Sequence, residues 1–332
     1  MAAMLTRRRA IGISAAAAGL ALLPFGSHGA TAGEEVTWQG QALGAPATLR
    51  IHHHHRGQAL RLVADVEAEV RRLERVFSLY REDSDLVLLN RQGVRLAPPA
   101  ELVEVLRLSG ALWQLSGGAF DPTVQPLWLS YLEHFSTPGA DPAGPSARDL
   151  DAALAKTGFD GLRYDADRIA FSRAGMAVTL NGIAQGYITD RVVELLRAGG
   201  IASCLVDMGE SRGVGLHPDG RGWRIGIADP QRPGDVVETL EIVDRAVATS
   251  SPAGFAFDSE GRFNHLLDPR SGRSPRRYES VTVVARDAAT ADGLSTAFAL
   301  MDPEAVAAAA RQHGDLQVHL LSGSGQHTVL DS

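Results

Sequence analysis

Cysteine is nearly absent: the 332-residue chain contains one, Cys204. A single thiol excludes an internal disulfide, so the fold must rest on its hydrophobic core, which a chain of this length can supply. Cys204 lies in the apolar run "ASCLVD", which reads as a buried, inert thiol rather than a nucleophile. Positive charge is also in deficit, with 32 lysines and arginines against 39 acids and a net charge of −7. That balance argues against a nucleic-acid-binding surface. No apolar run is long enough to span a bilayer comfortably, and no solenoid or propeller repeat is visible.

What is present begins with an export pattern. Arg7, Arg8 and Arg9 precede a weakly apolar run at 10–23, then Pro24 and an A-x-A site at Ala30, Thr31 and Ala32. This order predicts a twin-arginine-type signal peptide over residues 1–32, removed on export to the periplasm and leaving no stable membrane insertion. Its removal takes away three arginines and no acid, so the mature chain is more acidic still.

Along residues 33–332, Leu62, Val66, Val70, Leu73 and Phe77 recur at helical steps, as do Leu102, Val105, Leu108 and Leu115 ahead of Gly117-Gly118. "ARDLDAALAKTG" and the stretch 183–198 read as further helices. Strands then dominate: "ASCLVDMG", "WRIGIAD", "VETLEIV" and "ESVTVVAR", with "GFAFDSEGRFNHLLD" as a hairpin. Two late helices, "ATADGLSTAFALM" and "PEAVAAAARQHG", precede the strand "DLQVHLLS". Helices and strands in runs, without strict alternation, predict an α+β fold in a single domain.

Several stretches could carry chemistry. Asp292 and Thr296 stand four apart on a predicted helix, so their oxygens share one face. Carboxylate plus hydroxyl suits a hard cation such as Mg²⁺; the same aspartate also reads as a helix cap. In "GGAFDPTVQPLW", Phe120 and Asp121 form either an ordinary Asp-Pro turn or the wall of a heterocycle pocket. His265, on a predicted strand, is a packed or exposed residue, or a base for a hydroxyl nucleophile. "ATSSPAG" offers the Thr249 and Ser250 hydroxyls beside a turn. In "TLNGIAQGYITDR" (179–191) a helix begins among small residues, where unpaired N–H groups and a positive dipole end can receive a phosphate. In "IHHHHRG" only His52 with His54, or His53 with His55, could share an ion on a strand; a solvated strand end is the preferred reading.

Taken in order, six segments resemble the ApbE-type flavin transferases, which attach FMN from FAD to a protein hydroxyl. They are "VFSLYREDSDLVLLN" (76–90), "GGAFDPTVQPL" (117–127), "LNGIAQGY" (180–187), "ATSS" (248–251), "HLLDPRSGRSP" (265–275) and "SVTVVARDAATADGLSTAFALM" (280–301). The resemblance covers about residues 37–330, and "TLNGIAQGYITDR" with its twin-arginine signal resembles the branch that serves nitrous oxide respiration.

The resemblance implies a T-fold-related, two-lobed domain with a mixed or antiparallel sheet, flanking helices and an FAD cleft between the lobes. FAD would be the FMN donor, AMP the leaving group, and a membrane flavoprotein of the nitrous oxide system the acceptor. It implies an FAD site at Leu43, Tyr80, Ala119, Phe120, Asp121, Asn181, Gln185, Tyr187, Thr249, Ser250, His265 and Leu267. It implies Mg²⁺ on the Ala184 carbonyl, Asp292 and Thr296, with His265 as the base. An exported FAD carrier without chemistry and an FAD pyrophosphatase are the alternatives. The chain departs from the family pattern at Asn181, at Gln185 (commonly lysine), at Gly209-Glu210-Ser211 (commonly Gly-Gly-Asp) and at Ser251 (commonly glycine).

Overall fold

The computed structural model describes residues 20–22, 34–232 and 234–332. The export signal expected over residues 1–32 lies outside them, apart from the short strand β1 (Leu20–Leu22). Strands β2 (Glu34–Ala42) and β3 (Ala45–His53) pair along all nine residues. Leu43 and Gly44 join them at φ 50° and 85°, the left-handed pair that matches hairpin twist in a two-residue turn. In β3 the residues Ala45, Ala47, Leu49 and Ile51 are buried in alternation, so one face meets the core.

Helix α1 (Arg56–Phe77) packs on that face through Leu62, Val66, Val70, Leu73 and Phe77, the periodicity read from sequence. Helix α2 (Asp85–Gln92) follows, capped by the Ser84 hydroxyl, then β4 (Val94–Leu96) and α3 (Ala100–Leu115). Gly117 and Gly118, at φ 59° and 81°, turn the chain out of α3 as expected. Helices α4 (Gln125–Ser136) and α5 (Ala147–Leu154) lead to β5 (Leu162–Tyr164) and β6 (Arg168–Phe171), which form a small sheet with β4.

The second half comprises α6 (Ala184–Ala198), β7 (Cys204–Asp207), β8 (Ser211–Val214), β9 (Trp223–Ala228), β10 (Val236–Ile242) and β11 (Ala246–Ser250). It closes with β12 (Tyr278–Ala285), α7 (Ala288–Ala299), α8 (Pro303–His313), β13 (Gln317–Ser322) and β14 (His327–Asp331). An eight-stranded sheet in the order β14-β13-β12-β11-β8-β7-β3-β2 forms the centre, every neighbour antiparallel. The long helices bury their apolar stripes on one face. On the other face, Trp223, Ile225 and Ile227 of β9 and Leu240 and Ile242 of β10 pack on Leu205, Val247 and Val284. A smaller cluster gathers Leu127, Tyr131, Ala153 and Leu267 beside α4 and α5. The fold is thus α+β, as the run of elements predicts.

Three local expectations change. The segment 255–265 is held like a hairpin by backbone bonds, but contains only one isolated bridge, Ala256 with Asn264, so His265 stands on irregular chain rather than a strand. His52 is not at a solvated strand end: its ring packs 5.5 Å from that of His217 and 5.8 Å from buried Trp223. His53 Nδ1 accepts the His55 backbone N–H at 3.0 Å, which stabilises a local turn. Cys204 is buried, and burial pushes its thiol up to about 12, as an inert cysteine requires. Among the described residues no helix is long and apolar enough to cross a membrane.

Candidate functional site

At one end of the central sheet six separate stretches meet around an open cleft. The β7–β8 turn, with Gly209 at φ 110°, brings in Glu210. The end of β11 supplies Thr249 and Ser250, α7 supplies Asp292 and Thr296, and the approach to α6 supplies Asn181, Gly182 and Gln185. The opposite wall is Ala119, Phe120, Asp121 and Trp128 on one stretch and His265 and Leu267 on another.

Asp287, not Asp292, caps α7, accepting the Thr290 N–H at 2.8 Å. Asp292 sits inside the helix, 4% exposed, and its Oδ2 accepts the Gly186 N–H at 3.0 Å. One turn on, Thr296 joins a hydroxyl group: Ser250 Oγ lies 3.3 Å from Thr296 Oγ1 and 2.8 Å from Ser295 Oγ. Thr249 Oγ1 pairs with Thr282 Oγ1 at 2.7 Å.

The small residues before and within α6 have two separate causes. At Gly182 a Cβ would lie 2.9 Å from Thr296 Oγ1, so the missing side chain leaves room beside the hydroxyl. At Gly186 a Cβ would lie 2.2 Å from the Ala288 carbonyl oxygen, so that glycine serves helix contact. The α6–α7 contact is locked by Asp190, which accepts the Ala288 and Ala289 N–H groups at 2.8 and 2.9 Å and pairs with Arg212.

Among the described residues no lysine or arginine lines the cleft, yet it holds three buried carboxyls, Asp121, Glu210 and Asp292. Burial chiefly pushes Asp292 up to about 7, the Asp190 charge adding to the rise and the Gly186 N–H opposing it. Burial also raises Glu210 well above the carboxylate range, with Asp292 and then Asp207 adding to it. Glu210 Oε2 has no hydrogen-bond partner among the described residues. Unpartnered carboxylate oxygen, a second carboxylate and clustered hydroxyls form an all-oxygen donor set that fits a hard divalent cation such as Mg²⁺.

His265 has a defined tautomer. The Phe255 carbonyl accepts from its backbone N–H at 3.1 Å and lies 3.2 Å from Nδ1. A carbonyl can only accept, so Nδ1 carries the proton and Nε2 holds a lone pair. Burial lowers the imidazole below its ordinary range, and the Phe255 bond opposes this only in part.

Of the residues expected at the flavin and metal sites, Ala119, Phe120, Asp121, Asn181, Gln185, Thr249, Ser250, His265, Leu267, Asp292 and Thr296 line this cleft. Asp121 is there, but its carboxylate is spent on the chain: Oδ1 accepts from Thr123 N–H and Oγ1–H at 2.8 and 2.6 Å, and Oδ2 from Phe159 N–H at 2.8 Å. The Gln185 side chain lies against Gly209, where a Cβ would meet Nε2 at 2.1 Å.

Four expected residues stand apart. Tyr187 packs on Phe77, ring centroids 5.5 Å apart, and donates to Glu104 Oε2 at 2.7 Å, so it points toward α1 and α3 and away from the cleft. Tyr80 is exposed on the loop after α1. Leu43 occupies the β2–β3 turn, its N–H donating to Glu74 Oε1 at 2.9 Å. Ala184 is buried at the start of α6 and does not line the cleft, although Gly186, two residues on, holds Asp292. Sequence reasoning did not assign Glu210 or Trp128. The signal for Glu210 was the replacement of a common glycine by an acid in "DMGESRG"; Trp128 had none beyond its closeness to "AFDP".

The sequence profile of the ApbE family matches residues 43–320. An FAD:protein FMN transferase of Vibrio cholerae is 31% identical over 284 residues, covering 82% of this chain and 83% of that protein. The corresponding Escherichia coli protein is 28% identical over 262 residues, covering 76% and 74%. Among solved structures, the flavin transferase ApbE from Vibrio cholerae superposes with a TM-score of 0.77 at 29% identity, covering 90% of this chain and 97% of that one. The apo flavinyl transferase ApbE of Pseudomonas stutzeri gives 0.75 at 30% identity, covering 91% and 97%.

Proposed function

Because this chain belongs to the ApbE family, we propose that it is an FAD:protein FMN transferase, moving FMN from FAD to a threonine or serine hydroxyl of an acceptor flavoprotein. The observation that carries this reading is His265, whose Nδ1 is tied to the Phe255 carbonyl, on the wall of the cleft that also holds Asp292 and Thr296.

The acceptor hydroxyl attacks the FMN-side phosphorus, the pyrophosphate P–O bond breaks, and AMP leaves. Hydroxyls are weak nucleophiles at their own pKa, so the proton must move as the bond forms. Neutral His265 takes it at Nε2. Phe120 and Trp128 supply apolar wall for the flavin donor, and Asp121 holds that wall in shape through Thr123 and Phe159. Asp292 and Thr296, with the Glu210 carboxylate, would hold Mg²⁺. When bound, that ion neutralises charge developing on phosphate oxygens and steadies the leaving AMP.

The proposal extends to place and partner: export to the periplasm by the 1–32 signal, and an acceptor among the membrane flavoproteins of nitrous oxide respiration. What supports this is the arginine-led signal pattern together with the form "TLNGIAQGYITDR". The test is to incubate the mature chain with FAD, Mg²⁺ and such an acceptor domain and weigh the intact acceptor. The expected product is the acceptor carrying one FMN, with AMP released. Free FMN and AMP with an unmodified acceptor would mark a pyrophosphatase, and bound but uncleaved FAD a carrier.

A further inference from the structure

Away from the cleft, Glu238 of β10, His319 of β13 and His327 of β14 converge, with their ligand-capable atoms within 4.8 Å of one another. The fold brings them together deliberately. β13 and β14 pair so that Leu321 faces His327 and His319 faces Val329, and the two imidazoles stack at 5.3 Å with their planes 19° apart. In β10 the register with β9 shifts between Val236 and Glu238, the kind of irregularity that re-aims a side chain.

The three donor atoms make a triangle. His319 Nδ1 lies 3.1 Å from His327 Nε2 and 3.2 Å from Glu238 Oε2, and His327 Nε2 lies 3.6 Å from the same oxygen. Ligands at the usual 2.0–2.1 Å of a tetrahedral zinc ion are about 3.3–3.4 Å apart. The sides scatter around that value.

The outer contacts place a hydrogen on His319 Nε2. Gln317 Nε2 donates to Asp331 Oδ1 at 2.9 Å, which turns Gln317 Oε1 toward His319 Nε2 at 3.1 Å. An amide oxygen only accepts, so Nε2 carries a hydrogen, and in the neutral ring Nδ1 presents a lone pair. A ligating histidine ordinarily has its other nitrogen held by such a partner. The Nδ1 lone pair faces a carboxylate oxygen and a second imidazole nitrogen, so a positive centre, a proton or a metal ion, belongs between them. His319 is 2% exposed, so the triangle is closed to solvent on its side. The His327 and Glu238 side chains are 23% and 40% exposed, which leaves an entry path and room for a water ligand.

We propose that Glu238, His319 and His327 bind a divalent late first-row transition metal, Zn²⁺ by geometry, with water completing the tetrahedron. Two imidazoles and one carboxylate discriminate against Mg²⁺, which prefers six oxygens. The site is therefore separate from the all-oxygen cleft, and it fastens β10 to the edge strands of the eight-stranded sheet.

The test uses the whole mature chain, stripped with EDTA and titrated with ZnCl₂ in excess Mg²⁺ by calorimetry, with the melting temperature followed in parallel. Because His53 and His55 also lie side by side, a His53→Ala/His55→Ala chain is titrated as well. The expected result is one Zn²⁺ bound and a raised melting temperature, both retained by that double variant. His327→Ala and Glu238→Gln should each weaken Zn²⁺ by about 10-fold or more and lose the thermal gain, with flavin transfer unchanged. The proposal is overturned if the wild-type chain takes up no Zn²⁺, if both variants bind as tightly as wild type, or if only the His53/His55 variant loses the ion.

Discussion

Gly186 and Asp292 are joined by a 3.0 Å hydrogen bond from the backbone N–H of one helix to the carboxylate of the next. The bond orients one oxygen of Asp292 and leaves the other to the cleft, so the first turn of α6 sets the direction of a residue 106 positions away. Burial makes that carboxyl costly to ionise without a counter-charge.

Asp292→Asn keeps an acceptor for the Gly186 N–H and removes the charge. Flavin transfer should fall by about 10²-fold or more, while thermal stability in EDTA stays at or above that of the wild type, because a buried charge is gone. Full activity in EDTA for this variant would reduce Asp292 to a packing residue.

His265→Ala should lose about 10²–10⁴-fold in transfer rate and keep FAD binding, measured by flavin fluorescence. The pH profile of the unmodified enzyme adds a second check. Burial lowers the His265 pKa, so its neutral, basic form persists further into acid than a free imidazole's. The acid limb of the rate should therefore fall below about 6.5, the ordinary imidazole value, and should vanish in the variant's residual activity.

Gly186→Ala and Gly182→Ala should separate stability from activity. The first drives a methyl toward the Ala288 backbone oxygen, 2.2 Å away, where only movement of α6 against α7 relieves the clash. A loss of about 1–3 kcal/mol in denaturant unfolding is expected. The second meets the Thr296 side chain at 2.9 Å, which can rotate, so unfolding changes less and Mg²⁺ affinity drops.

Arg212→Ala leaves the buried Asp190 carboxylate with only the Ala288 and Ala289 amides. Breaking such a pair typically costs about 3–5 kcal/mol. Asp190→Asn, which retains hydrogen-bonding capacity, should cost less. Equal, small losses in urea unfolding would show that this pair does not fasten α6 to α7.

Much of this was legible beforehand because the long helices advertise themselves. Leu62 through Phe77 repeat at 3.6-residue spacing and are buried as that spacing demands, and Gly117-Gly118 ends α3 through positive φ. The β2–β3 hairpin is not legible in the sequence because Leu43-Gly44 is not a typical turn pair; leucine at φ 50° is held there by tertiary contact, including the Glu74 bond. At the cleft, Asp292 and Thr296 share a helix face, which spacing alone reveals. The motif around Tyr187 does not encode its direction: on α6 the residue after Gly186 turns toward Phe77 and Glu104, and no sequence pattern states which side of a helix meets a partner that distant in the chain. Glu210 was hidden for a related reason, since only the pairing of β7 with β8 carries a hairpin tip to Asp292.

The cleft is assembled from segments spread between residues 119 and 300, across an antiparallel sheet whose neighbours include strands as distant in sequence as β3 and β7. Contacts of such separation close late in folding. A chain that has formed its helices but not this sheet therefore has no place for a dinucleotide. Ligand binding in turn favours the finished molecule by mass action, so occupancy by FAD serves as a readout that the chain has completed its topology.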